Sequence, residues 1–246
     1  MPRAIAKLAR TMSKLAELVR RAGPPISRAP KRLRDTPVTL SKERLLELEA
    51  LLHLRDGFVT LGGALIVRPS VTVAAVRGVE DWNQLTLWRR PYARATSLLF
   101  FAETVMGRQF ALHKDEVVAF DPVTGLWDHV GFGLDRWAEY VVDALSDEVA
   151  TLAMWVAEHG TLLPSQRLQR RGVPQLQEPE LEAEGVDDPP DPTELRVIDD
   201  LELMRRYARL HRETREHPGV PPEGFEAWWF ADGVMQDAVP ATKRPA

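Results

Sequence analysis

Between Leu98 and Val130 the chain alternates short apolar runs with turn residues, and this rhythm constrains the fold more than any other feature. Residues 97–102, 109–113, 116–120 and 126–130 each have the length and the β-branched or aromatic content of a strand. Lys114-Asp115 and Asp121-Pro122-Val123-Thr124-Gly125 separate the later strands, because proline sets φ and glycine accepts a positive φ. Strands joined by such short turns pair antiparallel. Upstream, residues 58–67 and 71–76 are apolar and β-branched around Pro69-Ser70, so they read as two further strands, with Gly62-Gly63 as a bulge or tight bend.

Helical periodicity surrounds this sheet pattern. A helix from Ser41 to about His53 has its own cap, since the Ser41 hydroxyl can accept from the Arg44 amide. Asp81 is expected to cap a short helix carrying Trp82, Leu85 and Trp88. Residues 134–145, 147–158 and 199–216 present apolar side chains at helical spacing, and Gly160 stops the second of them. The expectation is an α+β fold, a single twisted, mainly antiparallel sheet packed against helices. Trp82, Trp88, Trp127, Trp137 and Trp155 sit in periodic apolar contexts and are expected in its core.

Charge divides the 246-residue chain unevenly. Residues 1–34 hold ten bases and one acid, Glu17, whereas the remainder carries 22 bases against 35 acids. Ile5, Leu8, Met12, Leu15 and Val19 form an apolar stripe on a basic amphipathic helix, which Gly23-Pro24-Pro25 should end. Residues 1–37 therefore read as a basic extension and linker outside the core, with 38–217 as the domain. A poorly ordered extension is favoured over a grip on nucleic acid or anionic lipid. Residues 175–198 form an acidic, proline-rich loop within the domain, and 218–246 form a tail. Phe225, Trp228, Trp229 and Phe230 in that tail are costly to leave in water and should dock.

Catalytic signatures are missing from the sequence. There is no cysteine, so thiolate metal sites, cysteine nucleophiles and disulfides are excluded. The six histidines show no metal-ligand spacing, and no glycine pattern matches a phosphate-binding loop or a serine elbow. Glu103 interrupts an apolar stretch and could be a buried acid, but a carboxylate satisfied by turn amides is the better reading. No cofactor and no small-molecule substrate is expected. The acids Glu178, Glu180, Glu182, Glu184, Asp187 and Asp188 could meet a cationic protein, although such runs are usually solvated. No apolar run approaches the ~20 residues of a membrane span, which points to the cytoplasm.

The string LLFFAETVMGRQFALHKDEVVAFDPVTGLWDHVGFGLDRWAEYVV resembles the SUKH superfamily, known from bacterial toxin-immunity proteins and a fungal cell-wall regulator. The matching features, in order, are Phe-Ala-Glu ending at Glu103, Gly107 before Gln109-Phe110, the turn from Asp121 to Gly125, and a helix carrying Trp137. Coverage runs from about Leu45 to Leu168, with a weaker continuation at 199–217. After Leu168 the chain departs from the pattern, being acidic and proline-rich where relatives are apolar. The resemblance implies a protein-binding scaffold, most simply an immunity protein whose acidic body neutralises a basic toxin. A structural adaptor anchored by its basic N-terminus is the alternative.

Overall fold

The fold follows from the computed structural model, which describes residues 13–37, 39–171, 191–216 and 224–229. Six strands run as an antiparallel meander in chain order: β1 (Phe58–Thr60), β2 (Leu65–Val67), β3 (Leu99–Thr104), β4 (Gln109–His113), β5 (Glu116–Phe120) and β6 (Trp127–Gly131). Two more, β7 (Gln166–Arg170) and β8 (Leu195–Asp199), pair with each other in a small antiparallel sheet. Val105, just beyond β3, links the sheets: its amide donates to the Ala64 carbonyl at 2.8 Å, and its carbonyl accepts from the Leu168 amide at 2.9 Å. The α+β expectation holds, with this second sheet as an addition.

Helices cover both faces of the large sheet, which is why its central strands are apolar throughout. Against one face lie α1 (Lys14–Arg21), α2 (Lys42–Leu54) and, further along the chain, α4 (Leu134–Ala144), enclosing a core that includes Leu18, Leu48, Phe101, Phe110 and Trp137. Against the other lie α3 (Val79–Trp82), α6 (Asp200–Glu216) and α7 (Phe225–Trp229), around Trp82, Phe100, Phe120, Met204 and Trp229. A third cluster, including Leu152, Trp155 and Leu168, joins α5 (Ser146–His159) to the small sheet. Four expected core tryptophans are buried, and Trp127 is partly buried against the second core.

Several boundaries differ from the sequence reading. Residues 13–37 belong to the body: Leu15, Leu18, Val19 and Leu33 are all buried in the first core. Asp135, at the start of α4, accepts the Leu15 amide at 3.0 Å and so caps α1 from 120 residues away. Amphipathicity identified the stripe of α1, but nothing local could show that α4 covers it. Residues 71–76 are not a strand. Val73 and Val76 bridge only each other around Ala74 at φ 51°, making a tight hairpin-like turn. The 58–67 run breaks at a 3-10 turn, Leu61–Gly63, which carries the expected bend at Gly62-Gly63. Gly78, rather than Asp81, occupies the N-cap position of α3. Of the expected acidic loop, 192–198 is regular structure instead, a 3-10 turn at Pro192–Glu194 followed by β8, and 175–190 lies outside the described residues. Aromatic docking of the tail occurs as expected for Phe225 and Trp229, which are buried, so the domain continues past residue 217. Phe230 lies outside the described residues.

Candidate functional site

Glu103 was the one acid singled out by its apolar context, and the structure explains how it is tolerated. In β3 the register shifts between Phe100 and Ala102, so that Phe101 and Ala102 both join the first core. A bulge re-aims every later side chain of its strand. Here it carries Glu103 to the second face, opposite Ile66 on β2 and Gln109 on β4. Its carboxylate meets the guanidinium groups of Arg68 and Arg167, and its second oxygen accepts from Gln109 Nε2 at 2.7 Å. Side chains, not turn amides, satisfy it.

Asp200 completes the group from the first position of α6, with Oδ2 3.0 Å from Arg68 Nη2. Arg77 approaches its other oxygen at 3.5 Å from the rim. The Arg68 guanidinium lies 3.3 Å over the Trp82 ring, and the Trp82 indole donates to Gln109 at 3.0 Å. Two arginines and two carboxylates therefore neutralise one another where β2, β3, β7 and α6 converge. Burial lowers the Arg68 pKa against the opposing pull of Glu103 and Asp200. Burial also works to raise Glu103, yet Arg167 and Arg68 hold it below the ordinary carboxylate range. For Asp200 burial prevails over Arg68, and its pKa is raised. Glu103 and Asp200 are each 0 % exposed. The group binds layers of the fold together.

Sequence reasoning missed Arg68, Arg167 and Asp200 as its partners. The available signal was an arginine abutting the apolar strand Leu65–Val67, since a charge so placed needs a countercharge. The remaining resemblance residues are structural in position. Gly107 takes φ 92° in the β3–β4 turn, beneath Leu203 and Tyr207. Phe110 and Trp137 meet edge to face at 5.9 Å. Asp121 accepts from the Val123 amide and the Thr124 hydroxyl at 2.8 and 2.9 Å, and Gly125 closes the turn at φ 72°. Glu178, Glu180, Glu182, Glu184, Asp187 and Asp188 lie outside the described residues.

Histidines that looked unrelated are partly connected. His113 on β4 and His129 on β6 contact opposite oxygens of Glu116 on β5, at 3.2 and 2.6 Å. Among the described residues, no group of three or more ligating side chains has the geometry to hold a metal ion.

The outer rim of the large sheet offers a different kind of surface. β6 is its terminal strand, and none of the described residues pairs with its outer edge. Beside it Phe132 is 69 % exposed and Leu126 53 %, and the Phe132 ring packs on His129 at 5.0 Å. A groove of about 440 Å³ runs from Val130 and Phe132 to Arg136, Glu139 and Tyr140. Open strand edges and exposed aromatic anchors are features that protein partners use. At the opposite rim, β1 is covered: Gly23 and Ile26 donate to the carbonyls of Val59 and Gly57, both at 2.9 Å.

No protein-family model matches the sequence, and no curated protein matches it.

Proposed function

We propose that this protein is a non-catalytic protein-binding module of the SUKH immunity type, which neutralises a basic toxin or effector in the cytoplasm by covering its working surface. The observation that carries this reading is the β6 edge, with which no described residue pairs, and the exposure of Phe132 and Leu126 along it. A partner can add a strand to that edge, seat an apolar residue against Phe132, and orient itself on Arg136 and Glu139. The buried carboxylates support the reading, because their charge is spent inside the fold. The negative charge of the chain beyond residue 34, including the run from Glu178 to Asp188, would speed encounter with a cationic partner.

Co-expression with toxin-like proteins encoded beside this one tests the proposal. Protection and a stable complex are expected for the parent chain, and both should be lost in Phe132→Asp/Leu126→Asp with its thermal stability retained. Complex formation that is indifferent to these substitutions would move the interface elsewhere, and no protection by the parent chain would remove the immunity reading. The alternative adaptor role has weaker support, because α1 is packed into the core and is not free to serve as a separate anchor.

A further inference from the structure

Residues 28–34 cross the surface without helix or strand, yet they are pinned along their length. The Lys31 amide donates to Ser70 Oγ at 2.9 Å, the Leu33 amide to Glu49 Oε1 at 3.1 Å, and the Arg34 amide to Glu80. Leu33 is buried in the first core. Arg28, Lys31, Arg32 and Arg34 are left exposed, and none of their side chains forms an ion pair with a described residue. The nearby carboxylates of Glu49 and Glu80 are turned to main-chain amides instead of these side chains, and Asp35 closes the run. The result is a fixed strip of four basic side chains without an ion-pair partner among the described residues, edged by the carboxylates of Glu49, Glu80 and Asp35, on an otherwise acidic chain.

From this arrangement we infer that residues 28–34 form a binding strip for the phosphate backbone of a nucleic acid. Arg32 and Arg34 flank the inward-facing Leu33, so they project the same way, about 7 Å apart in extended chain. That separation suits successive phosphates, and three of the four bases are arginines, whose planar fork grips phosphate oxygens in pairs. With Leu33 turned inward the strip offers little to insert into a membrane. No aromatic side chain lies within it to stack on bases, so contacts to phosphate would be independent of sequence. The strip continues from the segment covering β1, at the rim opposite β6, so its loss would leave partner binding at β6 intact.

Fluorescence anisotropy of the full chain with labelled oligothymidine and with a random duplex tests the inference. For four phosphate contacts, affinity should fall roughly 100-fold between about 50 and 200 mM salt. The variant Arg28→Gln/Lys31→Gln/Arg32→Gln/Arg34→Gln should lose most of the low-salt affinity and most of the salt dependence. A control carrying Arg94→Gln/Arg215→Gln, exposed bases elsewhere, should keep both. Matching thermal unfolding of all three chains separates binding from folding. Affinity unchanged by the four substitutions overturns the inference. So does failure of the parent to bind either oligonucleotide at low salt, whether or not it binds polyglutamate or phosphatidylserine vesicles.

Discussion

Arg68 and Glu103, 35 residues apart in sequence, form a salt bridge in which neither side chain has any solvent exposure. Arg167 on the small sheet and Asp200 on α6 join the same pair, so one buried network couples both sheets to a helix. Breaking a buried pair from one side strands the other charge. Glu103→Gln leaves Arg68 and Arg167 with too little negative charge and should cost about 3–5 kcal/mol in urea denaturation. The double variant Glu103→Leu/Arg68→Met should lose less than the sum of its single variants, because each removes the penalty created by the other.

Truncation of α1 should reveal it as core. Leu18 is 0 % exposed, and Leu18→Ala is expected to lower stability by about 2–5 kcal/mol. Deleting residues 1–34 should therefore abolish cooperative thermal unfolding, whereas removal of a detachable anchor would leave it unchanged.

Glu148 on α5 should impose a pH dependence. Burial pushes its pKa up to about 7, against the lowering influence of the Thr104 hydroxyl and of Arg108 and Arg170. Because the folded value lies above the unfolded one of 4.5, the folded state holds this proton more tightly. Its stabilising contribution is whole below the unfolded pKa and is lost as pH rises through about 7. Glu148→Gln should flatten stability over that window, and the difference between the two proteins should change by at most about 3 kcal/mol. Denaturation midpoints measured from pH 4 to 8 check the sign.

Gly125 lies against His211 so closely that an added Cβ would meet the ring at 2.5 Å, and its φ of 72° is unfavourable for other residues. Gly125→Ala should cost about 1–3 kcal/mol by thermal unfolding. Combining it with His211→Ala should recover the part due to the ring, and the part due to the backbone should remain.

Much of the architecture was legible along the chain. The strands from β4 to β6 and the helices α4, α5 and α6 were readable because turn chemistry and side-chain period are local properties, whereas α7 was expected only as a docked tail. Ser41 capped α2 as expected, with the Arg44 amide donating at 3.3 Å. Residues 71–76 carry the valines of a strand, but among the described residues no neighbouring strand accepts them, and Val73 and Val76 bridge each other instead. β7 went unseen because Gln166, Arg167 and Gln169 are polar yet buried, Arg167 against Glu103 and Gln169 against Arg196 and Arg206, and polarity suggested exposure. At the proposed partner face, periodicity could mark β6 as a strand but could not mark it as the last one.

By itself the sequence determined an α+β meander, its turns, its helices and the absence of thiol chemistry, since each depends on residues close together in the chain. Tertiary structure alone decided which apolar stripe was covered, which strand lay at the end of the large sheet, and which charges neutralised one another. Those outcomes depend on contacts such as Leu15 with Asp135 and Arg68 with Asp200, spanning more than a hundred residues. Nothing in the local spacing of side chains encodes such a pairing.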